Sequence, residues 1–146
     1  MKRITRTAIS PHSAGELYSL VEDIESYPRF LPWCLATTVH ERKAGSTRAT
    51  LTVGMSGLRQ SFTTQNENRP GEAIDLRLVE GPFKAFAAAW RFTPLGPGGC
   101  RIEFSLDYEF ASRALGRVLE PLFDRIANTM VDAFARRADE VRGTRG

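Results

Sequence analysis

Tyr27-Pro28-Arg29-Phe30-Leu31-Pro32-Trp33-Cys34 decides how the rest of this chain is read. Pro28 and Pro32 each lack a backbone donor and restrict the residue before them. The segment is therefore neither a continuous helix nor a central strand. Yet Tyr27, Phe30, Leu31 and Trp33 are large and apolar or aromatic. A connector that stiff and that apolar is expected to lie against a core or to roof a cavity.

On its N-terminal side, Arg3 to Ile9 reads as a strand rich in Ile and Thr. Ser10-Pro11 then opens a helix, with proline suited to the first turn and Ser13-x-x-Glu16 as a capping box. Ala14, Leu17, Leu20, Val21 and Ile24 recur at helical spacing, so this helix has one buried side.

On its C-terminal side the pattern changes to strands. Thr37 to Arg42 and Arg48 to Val53 flank the turn Ala44-Gly45-Ser46. Arg59 to Asn66 follows, largely polar with Phe62 as its one large apolar group. Ile74, Leu76 and Leu78 alternate with polar neighbours. Phe83 to Thr93 places Phe86, Ala88, Trp90 and Phe92 on one face. Arg101 to Phe110 alternates most cleanly, with Ile102, Phe104, Leu106, Tyr108 and Phe110 against polar partners. The chain then reads as one long helix, where Leu115, Leu119, Leu122, Phe123, Ile126, Met130, Phe134, Ala138 and Val141 recur every three or four residues. Pro121 predicts either a kink or a separate short segment there. Strands joined by short turns form an antiparallel meander, and the apolar stripe of the last helix must be covered. The expected fold is therefore α+β, a curved antiparallel sheet of about seven strands wrapped around the C-terminal helix.

At 146 residues, the chain fits one domain over residues 1–146. Its 42% hydrophobic and 25% charged content is that of an ordinary globular protein. The longest apolar run, Ala85 to Trp90, is far short of a membrane span. Met1 to Arg6 has no apolar segment behind it, so a cytoplasmic location is expected. Cys34 and Cys100, the only cysteines, imply no disulfide framework, and with His12 and His40 they show no metal-ligand spacing. The net charge of +3 permits contact with RNA or a transient contact with an anionic membrane surface, and argues for neither.

Catalytic signals are weak. No glycine-rich phosphate loop precedes a helix, and no Gly-x-Ser-x-Gly elbow occurs. Glu103, Asp107 and Glu109 alternate outward from the last strand. No enzyme is read here. Ala85, Ala87, Ala88 and Ala89, framed by Phe83, Phe86, Trp90 and Phe92, leave either a void for a ligand or room for a helix to pack closely.

Tyr27-Pro-x-Phe30-Leu31-Pro32-Trp33-Cys34, together with Glu80-Gly81-Pro82-Phe83 and a final helix carrying Ala133-Phe134-x-x-Arg137-Ala138, resembles the coenzyme Q-binding branch of the START-like (polyketide cyclase/dehydrase) superfamily. Its bacterial members are also named ribosome association toxins of the RatA type. The likeness runs from Arg3 to Gly143. It implies a START-like helix-grip fold and a hydrophobic cavity between sheet and C-terminal helix that accepts ubiquinone or a similar polyprenyl lipid. It also implies, as the alternative, inhibition of translation by binding the large ribosomal subunit.

The expected cavity lining is Phe30, Leu31, Trp33, Phe83, Phe86, Ala88, Trp90, Phe92, Phe123, Ile126, Met130 and Phe134, with the connector and the Gly81-Pro82-Phe83 turn at the mouth. Ubiquinone enters as a ligand and no cofactor is expected. The partners are a hydrophobic small molecule or the ribosome, approached through Arg113, Arg117, Arg136 and Arg137, and not DNA.

Overall fold

The computed structural model describes residues 1–145, with side chains through Val141. Strand β1 (Lys2–Ser10) leads into helix α1 (Ala14–Glu22) and a 3₁₀ helix (Ile24–Arg29). Six strands follow: β2 (Cys34–Lys43), β3 (Ser46–Met55), β4 (Leu58–Arg69), β5 (Ala73–Glu80), β6 (Phe83–Pro94) and β7 (Cys100–Phe110). Helix α2 (Arg113–Arg145) ends the chain. The strands form one antiparallel sheet in the order β1-β7-β6-β5-β4-β3-β2. With α2 laid across one face, this is the α+β arrangement expected from the order of elements and the helix-grip fold that the resemblance implies.

The hairpins are set by local chemistry. Between β3 and β4 only Ser56 and Gly57 turn the chain, both with positive φ (52° and 83°). Two left-handed residues match the right-handed twist of the flanking strands. At the β5–β6 turn, a Cβ on Gly81 would stand 2.9 Å from Cβ of Phe62 and 3.1 Å from a methyl of Leu78. A side chain there would push β4 aside, so Gly81 lets the turn close against Phe62.

Helix α1 starts later than Pro11 suggests. Ser13 is its N-cap: its Oγ accepts from the Glu16 backbone N–H at 3.1 Å and donates to Glu16 Oε1 at 3.2 Å. Pro11 stands in the bend before the helix. The cap bond satisfies an orphan donor and so fixes the start. Pro28 lies inside the 3₁₀ helix, not outside all regular structure, because a short turn tolerates a missing donor. Helix α2 runs on through exposed Pro121, so the separate short segment is not formed.

One stripe of α2 is tied to the β1 edge and its following bend. Lys2 Nζ donates to Glu120 Oε1 at 2.8 Å and to Asp124 Oδ1 at 2.6 Å. Arg6 donates to Asn128 Oδ1, and His12 Nε2 meets Asp139 Oδ1 at 2.6 Å. Tyr108 Oη on β7 also donates to Asp124, at 3.3 Å. Such half-exposed pairs contribute little energy each. Their effect is positional: α2 is clamped over β1 and β7, and its apolar stripe (Leu119, Leu122, Phe123, Ile126, Ala127, Val131, Phe134 and Ala138, all buried) faces the concave sheet.

Candidate ligand-binding cavity

Because α2 is held over one side of the sheet, a space remains above β3 to β7. Its floor is Leu51 of β3, Phe62, Thr64 and Asn66 of β4, Leu76 of β5, Phe86, Ala88 and Trp90 of β6, and Phe104 and Leu106 of β7. Phe123, Ile126 and Met130 of α2 roof it, with Ile24 and Tyr27 of the 3₁₀ helix. The free volume is about 60 Å³. By comparison, an apolar cavity of about 150 Å³ takes up a benzene molecule. The space as it stands is a narrow seam, and a guest of ring size must widen it. Leu51, Phe62, Leu76, Phe86 and Met130 face this space yet keep partial exposure, which marks where it reaches solvent.

Of the expected lining, Phe86, Ala88, Trp90, Phe123, Ile126 and Met130 meet here. The other six do not. Leu31 is sealed in the core. Phe92 stacks behind Trp90 and meets Tyr18 edge-on. Phe134 is fully buried between Tyr27, Phe30 and Trp90, with ring centroids 5.2–5.4 Å away. Phe83 lies under α2, stacked on Phe110 at 5.2 Å and edge-on to Phe123 at 5.1 Å. A register shift between Phe83 and Ala85 turns Phe83 inward against the strand's alternation. The alanine run divides likewise: only Ala88 faces the cavity, while Ala87 is exposed on the outer side.

Phe30 and Trp33 face a different hollow, an outer groove of about 250 Å³ shared with Pro32, Arg125, Thr129, Asp132, Ala133 and Arg136. The Arg137 guanidinium sits over the Phe30 ring at 5.1 Å and pairs with Glu140 at 3.8 Å, so it is engaged within the fold. Arg113, Arg117, Arg125 and Arg136 form no ion pair among the described residues.

The connector thus roofs the cavity through Tyr27 alone. Its hydroxyl donates to the Val21 carbonyl, and burial pushes its pKa well above the ordinary tyrosine value. Cys34, at the connector's end, is buried, and desolvation raises its thiol from 9.0 to about 11. The thiolate is the reactive form. Cys34 is therefore expected to resist iodoacetamide at pH 8 in the folded protein and to react quickly in urea. Since folding favours the protonated thiol, its contribution to stability is full below pH 9 and is lost as pH rises from 9.0 to about 11. Rapid native-state labelling of Cys34 would contradict its burial.

Two lining residues escape a reading based on apolarity. Thr64 and Asn66 are 2% and 5% exposed, and Thr64 Oγ1 donates to Asn66 Oδ1 at 2.8 Å. The signal was positional: residues 62, 64 and 66 share a face, so a strand that turns Phe62 inward turns this pair inward too.

A curved sheet gripping a long helix over an apolar space defines a class, and the chain belongs to it: residues 10–135 match the family model "Polyketide cyclase / dehydrase and lipid transport". Among individual relatives, it is 41% identical over 145 residues to the ribosome association toxin RatA of Escherichia coli K12, covering 99% of this chain and 92% of that one. It is 29% identical over 135 residues to the mitochondrial coenzyme Q-binding protein COQ10 homolog B of Xenopus laevis, covering 90% of this chain and 55% of that one. The Zhui aromatase/cyclase of Streptomyces sp. R1128 shares the fold with a TM-score of 0.83 at 18% identity, covering 94% of this chain and 93% of that one.

Proposed function

We propose that this protein binds a largely apolar ligand, a polyprenyl quinone such as ubiquinone or a similar lipid, between sheet and α2, and acts as its carrier or chaperone. The observation that supports this most is the apolar seam itself: aromatic and aliphatic side chains from five strands, the 3₁₀ helix and α2 converge without filling the space between them. Each buried methylene of a guest adds about 0.8 kcal/mol, so two isoprenoid units of five carbons gain about 8 kcal/mol gross, the same order as the cost of association. The name of the Xenopus relative points the same way.

On this reading the protein is a binding module, not an enzyme. The polar side chains reaching the cavity are Thr64, Asn66 and Tyr27, and none can exchange a proton near neutral pH. A second reading, docking on the large ribosomal subunit, is favoured by the near full-length likeness to RatA. The groove that joins Phe30 and Pro32 to Arg125 and Arg136 offers ring surface beside free cations for such a contact.

Organic extraction of freshly purified protein, followed by mass spectrometry, tests the order of the two. A polyprenyl quinone or lipid near one per chain is the expected result. An empty extract, with salt-sensitive sedimentation on large subunits, would put the ribosomal reading first.

A further inference from the structure

Asn66 is 5% exposed on the cavity wall, and its carbonyl oxygen is already engaged by Thr64 at 2.8 Å. Its amide nitrogen makes no hydrogen bond among the described residues. That nitrogen is not walled in, because no fully enclosed side-chain nitrogen or oxygen among them lacks a partner. It therefore reaches the free space. The next polar pair on this face is closed on itself: Asn68 Nδ2 donates to Thr47 Oγ1 at 3.0 Å. Tyr27, across the cavity, gives its proton to Val21. The remaining lining groups are hydrocarbon, aromatic or thioether, apart from the Trp90 indole N–H, which also makes no hydrogen bond among the described residues. Asn66 thus supplies an unused amide donor, two N–H groups on one nitrogen beside the single N–H of Trp90, in a space whose other walls select for apolar shape.

We infer that the cavity's ligand carries a hydrogen-bond acceptor, a carbonyl or ether oxygen on an otherwise apolar body, and that Asn66 Nδ2 donates to it. This rests on the cavity being the binding site. Donation from an oriented amide in an apolar site discriminates, because an analogue without the oxygen leaves the amide unpaired when the guest displaces solvent. By register Asn66 lies level with Leu76 and Ala88, so a ring that places its oxygen on Asn66 lies over that part of the floor, and one contact sets its depth. Thr64 holds the Asn66 amide in place and acts as a positioning residue.

Two probes with the same tail, decylubiquinone and decylbenzene, separate the anchor from the cavity when delivered from the same detergent micelles. The wild-type protein is expected to take up both and to prefer the quinone. Replacing both members of the pair at once, Thr64→Val with Asn66→Leu, strands neither partner. It is expected to weaken quinone binding about tenfold and to leave decylbenzene unchanged or tighter. The Asn66 side-chain NH₂ resonances of the wild-type protein should shift with decylubiquinone and not with decylbenzene, a readout that survives if the double variant fails to fold. Equal uptake of both probes by wild type and variant, or unmoved NH₂ resonances in a quinone-loaded protein, would overturn the anchor and leave the cavity reading standing. Uptake of neither probe by the wild-type protein would overturn both.

Discussion

Phe134→Ala is expected to destabilise the protein by about 3–5 kcal/mol, lowering Tm by roughly 10 °C or more. Phe134 is fully buried, and three rings stand edge-on to it: Tyr27 at 5.4 Å, Phe30 at 5.2 Å and Trp90 at 5.3 Å. Truncation removes the ring that joins α2, the connector and β6. The loss has two parts, the burial of the ring itself and the void left among partners that relax only in part. Edge-to-face contacts add about 0.5–1.5 kcal/mol each beyond area, so this site should fall in the upper half of the range. Phe134→Leu, which keeps much of the volume, should recover more than half of the loss. A Tm within about 3 °C of wild type for Phe134→Ala would mean that the connector is held by something other than this ring.

Ala88→Leu should reduce uptake of decylubiquinone at least tenfold while the protein stays folded. Ala88 is 6% exposed on the cavity floor, paired in register with Leu76 of β5 and Leu106 of β7. An isobutyl group there occupies most of a free volume of about 60 Å³. The guest loses its space, and the core is strained by about 1–3 kcal/mol, as overpacking usually does. Ala87→Leu is the control, because Ala87 is exposed on the outer face of the same strand and should bind as wild type does. If a folded Ala88→Leu protein binds the quinone normally, the ligand does not enter between β6 and α2.

The parts of the molecule governed by local chemistry were readable in the chain. Ile102 to Phe110 alternate without a break, and β7 follows that alternation throughout. The stripe from Leu119 to Ala138 has the helical period, and α2 buries it. Where two local signals competed, the sequence could not rank them: Pro11 and Ser13 both announce a helix start, and the side-chain bond to Glu16 decides for Ser13.

The site was harder to read, because facing direction depends on register with distant strands. Phe83 is turned inward by a bulge that its neighbours do not encode. Thr64 and Asn66 look like surface residues until Ala49 and Thr47 on β3, and Leu78 and Leu76 on β5, place them on the concave face. The connector's aromatic residues were recognisable as buried groups. Their division between cavity, core and outer groove was not, since it is set by Phe134 and Arg137 a hundred residues away.

The strand order also dictates when this protein can exist during its own synthesis. β1 is made before the other six strands, yet among the described residues its only neighbour in the sheet is β7, with Ile4 opposite Leu106. At about 5–20 residues per second, the first strand waits some 5–20 seconds for its partner, and longer for α2. Meanwhile the β2–β5 meander, whose contacts are local, can assemble with its concave apolar face uncovered. Nascent chains stalled before residue 100 would therefore present that face and an unpaired first strand to whatever surrounds them. The finished seam under α2 forms only after all seven strands have been made.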